Sequence, residues 1–454
     1  MNQEPDRASL EAFSRRSGCL LRWPESFPDS EDFRGNPRRD FGRFLRRTPA
    51  FVLRPANLDQ LVAAVVMLGA SGIPYVTRGS AHSSGGQVLI EGGCVLQTEG
   101  LDRIGPLRQD GQGGQEGVIA AEGGVRWLEL VRALGAHGHR PRVLTDNLRT
   151  TLGGTLAVGG VGDTSLHYGL QVSSVVGLTL VAPTGDVYQL GPTDELFFWV
   201  LAGRGQLGII ARVELATMRR PRTLAGQVLV YRSVEAFVED AIRIRQERLF
   251  EFVRATQLWG PRAGVVQVIV GNFADEAGRA PLPKQLRPAY STPPELGDRV
   301  SHALLAPEET WDYHCPCMEV VLPLPQGLGL WQRLCARVAQ VGLERRFPLG
   351  TAIAVLPTDR RFPLAPFPET DLCLVGAFRP QLPNQAEAER WLPFLRDLGS
   401  EALDGGGRIY GPSIGLQRQD FLARQLGPAL AGLQRWKRRL DPRGLCNPGF
   451  LSSR

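Results

Sequence analysis

The sequence predicts an α+β protein with two small lobes around one shared ligand and a further region built on an antiparallel sheet. Three observations carry this. Strand and helix patterns alternate over the first 220 residues. Two glycine-rich stretches interrupt that alternation, each after a strand. Strand-like runs then recur at 318–322, 351–356 and 372–378, the arrangement of an antiparallel sheet with helices on one side.

Residues 51–104 read as a βαβ-like unit. Asn57 caps a helix with Gln60 three residues on, as in a capping box. Leu58, Leu61, Val62, Val65 and Val66 recur at helical spacing, and Gly69 and Gly72 end the helix. Ile73 to Thr77 is a strand, and a glycine-rich loop runs from Arg78 to Gln87. Residues 117–145 repeat the theme: Val118 to Ala121 as a strand, Trp127, Leu128, Val131 and Leu134 as a helix face, and Arg142 to Thr145 as another strand. A second glycine-rich stretch runs from Gly153 to Gly169. Residues 172–190 form a hairpin turning at Pro183-Thr184-Gly185-Asp186. Asp194 caps a short helix through Leu201, and Ile209 to Leu215 return to strand. Arg219-Arg220-Pro221-Arg222 marks a boundary. Beyond it lie an amphipathic helix over 233–250, a strand over 265–270, and a Pro-, Ala-, Glu- and Gly-rich surface segment over 274–310. The last 50 residues carry one more helix and a short tail.

Composition narrows the function classes. Hydrophobic residues are 43% and charged residues 22% of the 454, as in soluble globular enzymes. Gly 53 and Pro 34 exceed average usage without reaching low complexity, so disorder, collagen and coiled coil are excluded. The length allows two or three domains, each with its own core. A net charge of +6 gives no reason to expect nucleic acid or membrane as partner. The N-terminus MNQEPDRASLEAFSRR lacks the apolar core of a secretory signal, and no apolar run approaches the ~18 residues of a membrane span. Seven scattered cysteines argue for free thiols in the cytoplasm. Cys315-Pro316-Cys317, beside His314, has no second cysteine pair, so no metal is expected. The basic charge is nearly all arginine, Lys284 and Lys437 being the only lysines, which reads as genome base composition.

Gly203-Arg204-Gly205-Gln206-Leu207-Gly208 fits the spacing G-x-G-x-x-G, but a helix precedes it and a strand follows. A dinucleotide fingerprint needs the reverse order, so this is a tight turn. The two other glycine-rich stretches offer backbone N–H groups free of side-chain bulk, which suits a pyrophosphate. Neither is a P-loop.

Four segments then carry a family resemblance. Thr77 to Gln87 resembles the flavin loop of the vanillyl-alcohol oxidase superfamily, the PCMH-type FAD-binding oxidoreductases. Leu152 to Ala157 with His167-Tyr168-Gly169 resembles its second loop. Glu195 to Ile210 resembles its third segment, and Asp441 to Gly449 its C-terminal signature. Thr145-Asp146-Asn147-Leu148 and the spacing from His82 to Gln87 resemble the cytokinin dehydrogenase branch. The likeness covers about 50–220 and 405–454 and is weak over 222–400.

This resemblance implies a PCMH-type two-lobed FAD-binding domain over 1–220 and 405–454, with an α+β substrate (cap) domain inserted over 221–404. It implies FAD linked covalently through His82. No cysteine lies between Arg142 and Gly169, so a second covalent link is not expected. Gly79, Ser80, Ala81, Ser83 and Gln87 would surround the pyrophosphate and ring edge. Thr151, Gly154, Ala157, Val161 and Ile210 would line the rest of the channel, with Tyr410 and Asn447 closing it. Asp146, also beside the flavin, matches the acid that takes a substrate proton. The second acid of that branch has no clear match. Glu319 is the substitute, either as a catalytic acid or as an exposed strand residue, and Tyr410 completes the catalytic set. Gly160 matches the position that admits or excludes oxygen, implying O2 as acceptor. The implied activity is hydride removal from a C–N or C–O bond of a small molecule such as a secondary metabolite. Two alternatives stand beside it: oxidative decarboxylation or desaturation, with Arg149 or Arg379 holding a carboxylate, and sequestration of a metabolite without turnover.

Overall fold

The computed structural model describes residues 6–30, 32–109, 116–145, 147–220, 223–274, 282–291, 295–296, 312–348, 350–415 and 419–451. Three sheets organise them. The first has four strands in the order Leu20–Arg22, Phe51–Arg54, Cys94–Gln97, Tyr75–Arg78. Phe51–Arg54 and Tyr75–Arg78 both pair parallel with Cys94–Gln97, so the helix Leu58–Ser71 is a true crossover. Asn57 accepts the Gln60 N–H as expected, but Gln60 reaches back to the Ala56 N–H rather than to that of Asn57. The buried stripe is Leu61, Ala64, Val65 and Leu68, and Val66 faces outward. Gly72, in the left-handed region, ends the helix.

The second sheet is antiparallel and spans Ile104–Gln109 to Ile209–Arg219, with the hairpin Val175–Val181 and Val187–Leu190 at one side. Two expectations change here. The strand predicted over 142–145 lies earlier, at His139–Pro141, where it pairs with Thr217 to Arg219. The second glycine-rich stretch is not an open loop: Leu152–Val158 and Ser165–Tyr168 are short helices. Gly153 allows the first to approach its neighbours, because its N–H donates to Gly123 O at 2.7 Å and a Cβ there would meet that same oxygen.

The third sheet has nine strands, from Thr223–Tyr231 to Arg408–Ile409, and so reaches past residue 404. Its central order is Phe252–Gln257, Thr351–Pro357, Leu372–Phe378, Met318–Pro323. On one face, Phe378 stacks on Trp331 of the helix Leu328–Gln340 with ring centres 5.1 Å apart. Gly376 lies under the same indole, with no room for a side chain. The alternate residues Val375, Ala377 and Arg379 face the other way, into a cavity. The C-terminal region carries two helices, Gln419–Leu426 and Ala429–Leu440, because Gly427 in the left-handed region and Pro428 break what reads as one. Most of 274–310 lies outside the described residues.

The N-terminal segment wraps the first glycine-rich loop. Arg78, buried at the end of its strand, donates to Arg39 O at 2.9 Å, to Asn36 O at 3.1 Å and to Phe33 O. Asp40, fully buried, accepts the Gly86 N–H at 2.7 Å. Burial pushes the Asp40 carboxyl up to about 7, against the opposing pull of that N–H and of the Arg78 cation. A raised carboxyl stabilises the fold in its protonated form, so this contribution is lost as pH rises from about 4 to about 7. Asp40→Asn is therefore expected to raise unfolding stability at pH 8, on the order of a few kcal/mol, with the gain shrinking towards pH 4. Urea denaturation across that range checks it.

Candidate functional site

All three sheets border one cavity of about 710 Å³. Its lining includes Gly79, Ser80, Ala81, His82, Ser83, Gln87, Thr151, Gly154, Ala157, Gly160, Val161, Ile210, Glu319, Tyr410 and Asn447. The sequence-derived site residues lie there except Arg149, which is not on the wall, and Asp146, which is outside the described residues; the neighbours of Asp146, Thr145 and Asn147, are both on the cavity wall.

The first loop is shaped by close approach. A Cβ on Gly79 would fall 2.2 Å from Thr151 Oγ1, so only glycine lets the two glycine-rich stretches meet. His82 contacts the Phe41 ring at 4.3 Å between centres. Asn147 Oδ1 accepts the Arg149 N–H at 2.9 Å, which turns Asn147 Nδ2 towards His82 Nε2 at 2.8 Å. Nε2 is then the acceptor, and the ring is neutral with its proton on Nδ1. Burial and the Arg379 cation both push His82 down to about 3, which keeps it neutral at physiological pH. Gln87 serves the protein itself, accepting the Gly85 N–H and donating to Ser413 O, both at 2.9 Å.

Asn447 closes the cavity as a clamp. Its Oδ1 accepts the Thr77 N–H at 2.9 Å and its Nδ2 donates to Gly205 O at 2.7 Å. Its own N–H donates to Tyr75 O, and its carbonyl accepts from Gln206 Nε2 at 3.2 Å. Lys437 seconds it, with its ammonium on Gln206 O at 2.8 Å, Cys446 O at 2.7 Å and Asp441 at 2.9 Å. Three donors thus meet three acceptors, a task for a compact ammonium rather than a planar guanidinium. One of the two lysines therefore has a structural role. The Tyr410 hydroxyl accepts the Val161 N–H at 3.1 Å, and the Tyr410 N–H donates to Glu319 O at 2.9 Å.

The third sheet supplies the opposite wall. Ala352, Ala354 and Ala377 form a floor of small side chains. Two ion pairs flank it. Glu319 is not an exposed strand residue: its side chain is 3% exposed and accepts from Arg379 Nε at 2.6 Å, while Arg379 is 47% exposed. Arg254 makes a two-pronged contact to Asp163 at 2.9 and 2.8 Å. Three strand spacings, about 14 Å, separate the strands of Arg254 and Glu319. Arg149 is not among the lining residues, and Arg379 is held by Glu319 rather than being a free surface charge. Gly160 does line the cavity, but the direction its Cβ would take is filled by Gln171 Oε1, 1.9 Å away. A side chain at 160 would therefore have to displace the Gln171 amide. Sequence reading missed Asp163, Arg254, Asn147 and Arg204 as wall residues. Arg254 and Asp163 carry no local signal, since their pairing joins residues 91 apart.

The wall fits a long, polar, anionic cofactor. Buried Thr77 Oγ1, Ser83 Oγ, Thr151 Oγ1 and Arg204 Nη2 all lack protein partners on lining residues. Against known proteins, a family model described as FAD binding domain matches residues 49–191, and one described as FAD linked oxidases, C-terminal domain, matches 369–451. Both matched segments resemble the PCMH-type FAD-binding oxidoreductases. An uncharacterized oxidoreductase, ORF5 of the fasciation locus of Rhodococcoides fascians, is 27% identical over 436 residues, 91% of this chain and 96% of the relative. Cytokinin dehydrogenase 7 of Oryza sativa subsp. japonica is 35% identical over 218 residues, 47% of this chain and 41% of the relative. Cytokinin dehydrogenase 1 of Arabidopsis thaliana is 31% identical, over 48% of this chain and 39% of the relative. The matches therefore span less than half the length of these cytokinin dehydrogenases. These matched domains, with an oxidoreductase among the relatives, mark the chain as an FAD-dependent oxidoreductase. No described helix is long and apolar enough to cross a membrane.

Asn447 has left-handed backbone, φ 46, which asparagine tolerates better than most residues. Asn447→Gly keeps that backbone accessible while removing both amide bonds. It is expected to lower stability by about 2–4 kcal/mol, read by urea denaturation.

Proposed function

We propose that this chain is an oxidase that removes a hydride from a C–N or C–O bond of a small molecule and passes the electrons to O2. The observation that carries it is the two-sided cavity: glycine-rich loops with unpartnered hydroxyls on one side, and an alanine floor flanked by ion pairs on the other. FAD, when bound, supplies a two-electron acceptor.

The chain's own residues do the rest. Gly79, Ser80 and Thr151 hold the cofactor through backbone and hydroxyl groups. His82 carries it covalently, and the depressed imidazole pKa supports this by keeping the ring in its nucleophilic form. The 221–404 region acts as the substrate domain and its alanine floor takes a flat substrate, an arrangement supported by the small side chains at 352, 354 and 377. Asp146 takes the substrate's N–H or O–H proton. Glu319 orients polar substrate groups rather than acting as a base, because its carboxylate is already engaged by Arg379 Nε at 2.6 Å. The same Arg379 keeps a second substrate class open, a carboxylate-bearing natural product that is decarboxylated or desaturated. Seven free cysteines, all buried, favour a cytoplasmic location.

Two measurements test this. Acid-precipitated protein should give a yellow pellet, and His82→Ala a colourless one with yellow supernatant; a colourless wild-type pellet removes the covalent assignment. In anaerobic stopped flow with a compound that bleaches the flavin, Asp146→Asn should slow reduction by roughly 10²- to 10⁴-fold. Admitting air should then reoxidise the enzyme faster than free flavin. Ligands that bind but never bleach would instead favour sequestration.

A further inference from the structure

Arg204 stands in the turn Gly203 to Gly208, with left-handed backbone, φ 54. Its N–H donates to Ala157 O at 2.7 Å, and its guanidinium lies over the Phe450 ring at 4.9 Å. Ala157, Gly205 and Phe450 all line the cavity, as does Arg204. Its Nη2 is buried and has no hydrogen-bond partner, and among the described residues no carboxylate pairs with it. Burial alone pushes Arg204 down to about 10, with no neighbouring charge offsetting it. Two other cations on this wall are paired with carboxylates: Arg379 with Glu319 and Arg254 with Asp163.

Arg204 is half-buried, but an enclosed guanidinium nitrogen without an anion is a costly arrangement for a protein to keep, and an incoming anion removes the cost. The adjoining Gly205 is tied through Asn447 to Thr77, where the first glycine-rich loop begins. The unpartnered cation therefore sits beside the root of the loop whose glycines suit a pyrophosphate. We propose that Arg204 is the counter-ion of the FAD pyrophosphate in this chain, seated by its stacking on Phe450. This rests on the FAD reading of the cavity. It assigns the residue a charge-pairing role that glycine-rich loops otherwise leave to backbone N–H groups, and it gives the G-x-G-x-x-G turn a ligand contact although it is not a dinucleotide fingerprint.

The test uses full-length His82→Ala protein, in which FAD is exchangeable. Arg204→Met in that background should weaken FAD binding about 10- to 100-fold by fluorescence titration. Riboflavin, which lacks phosphates, should bind as it does to the parent. Added salt should weaken FAD binding to the parent more than to Arg204→Met, and the melting temperature of the FAD-free variant should not fall. Unchanged FAD affinity overturns the proposal. So does an equal loss for FAD and riboflavin, which would mark Arg204 as a packing residue. Should Arg204→Met not fold, Arg204→Lys in the intact holoenzyme decides: its flavin ³¹P resonances should move from the wild-type positions while the visible flavin spectrum does not, and unmoved resonances overturn the pairing. A parent that binds no FAD at all refutes the FAD reading itself, an outcome distinct from any effect of Arg204.

Discussion

The structure hangs on Asn447. Its amide and backbone join Tyr75 and Thr77 of the parallel sheet to Gly205 and Gln206 of the turn that feeds the antiparallel sheet. Residues some 370 apart in sequence are thereby held within hydrogen-bond distance. These contacts hold the strand Tyr75–Arg78 against the turn that feeds Ile209–Arg219, and the glycine-rich loops line the cavity beside that joint. Lys437, through Gln206 O and Cys446 O, fixes the same joint from behind.

The two sides of the cavity are built by different physics. The cofactor side is made of close backbone approaches, such as Gly79 against Thr151 and Gly153 against Gly123, which tolerate no added carbon. Its chemistry lies mainly in N–H and hydroxyl groups, with Arg204 as the charge we assign to it. The facing sheet is made of side chains: alternation sends Phe378 and Gly376 to the helical layer and Val375, Ala377 and Arg379 to the cavity. A change of substrate can therefore be accommodated on the sheet face by exchanging side chains, while the loops must keep their backbone.

Much of the site was legible because cofactor contacts are local. Gly79 to Gln87 are consecutive, and their glycines mark a loop whatever surrounds it. The decoy turn was legible from its order, helix before strand. Other features were not. Cavity-lining Arg254 and Asp163 look like ordinary charges until the chain folds. Glu319 read equally well as an exposed strand residue, because alternation alone does not say which face is covered. The glycine-rich stretch 153–169 holds helix for a related reason: packing of Gly153 on Gly123 favours a helical turn that glycine propensity by itself disfavours.

What the sequence alone determined was the flavin-binding character of the chain, the order of its elements and the identity of the loop residues, since these depend on short-range pattern. The tertiary structure alone decided the state of the side chains on the wall. It made His82 neutral, paired Arg379 with Glu319, turned one of two lysines into a joint and left Arg204 without an anion. Charge state and partnership depend on burial and on distances between remote segments, and those quantities come into being only when the three sheets meet. The glycine surplus and the arginine surplus thus part ways: the glycines are needed for approach at named contacts, and of the many arginines a few on the cavity wall have chemistry to do.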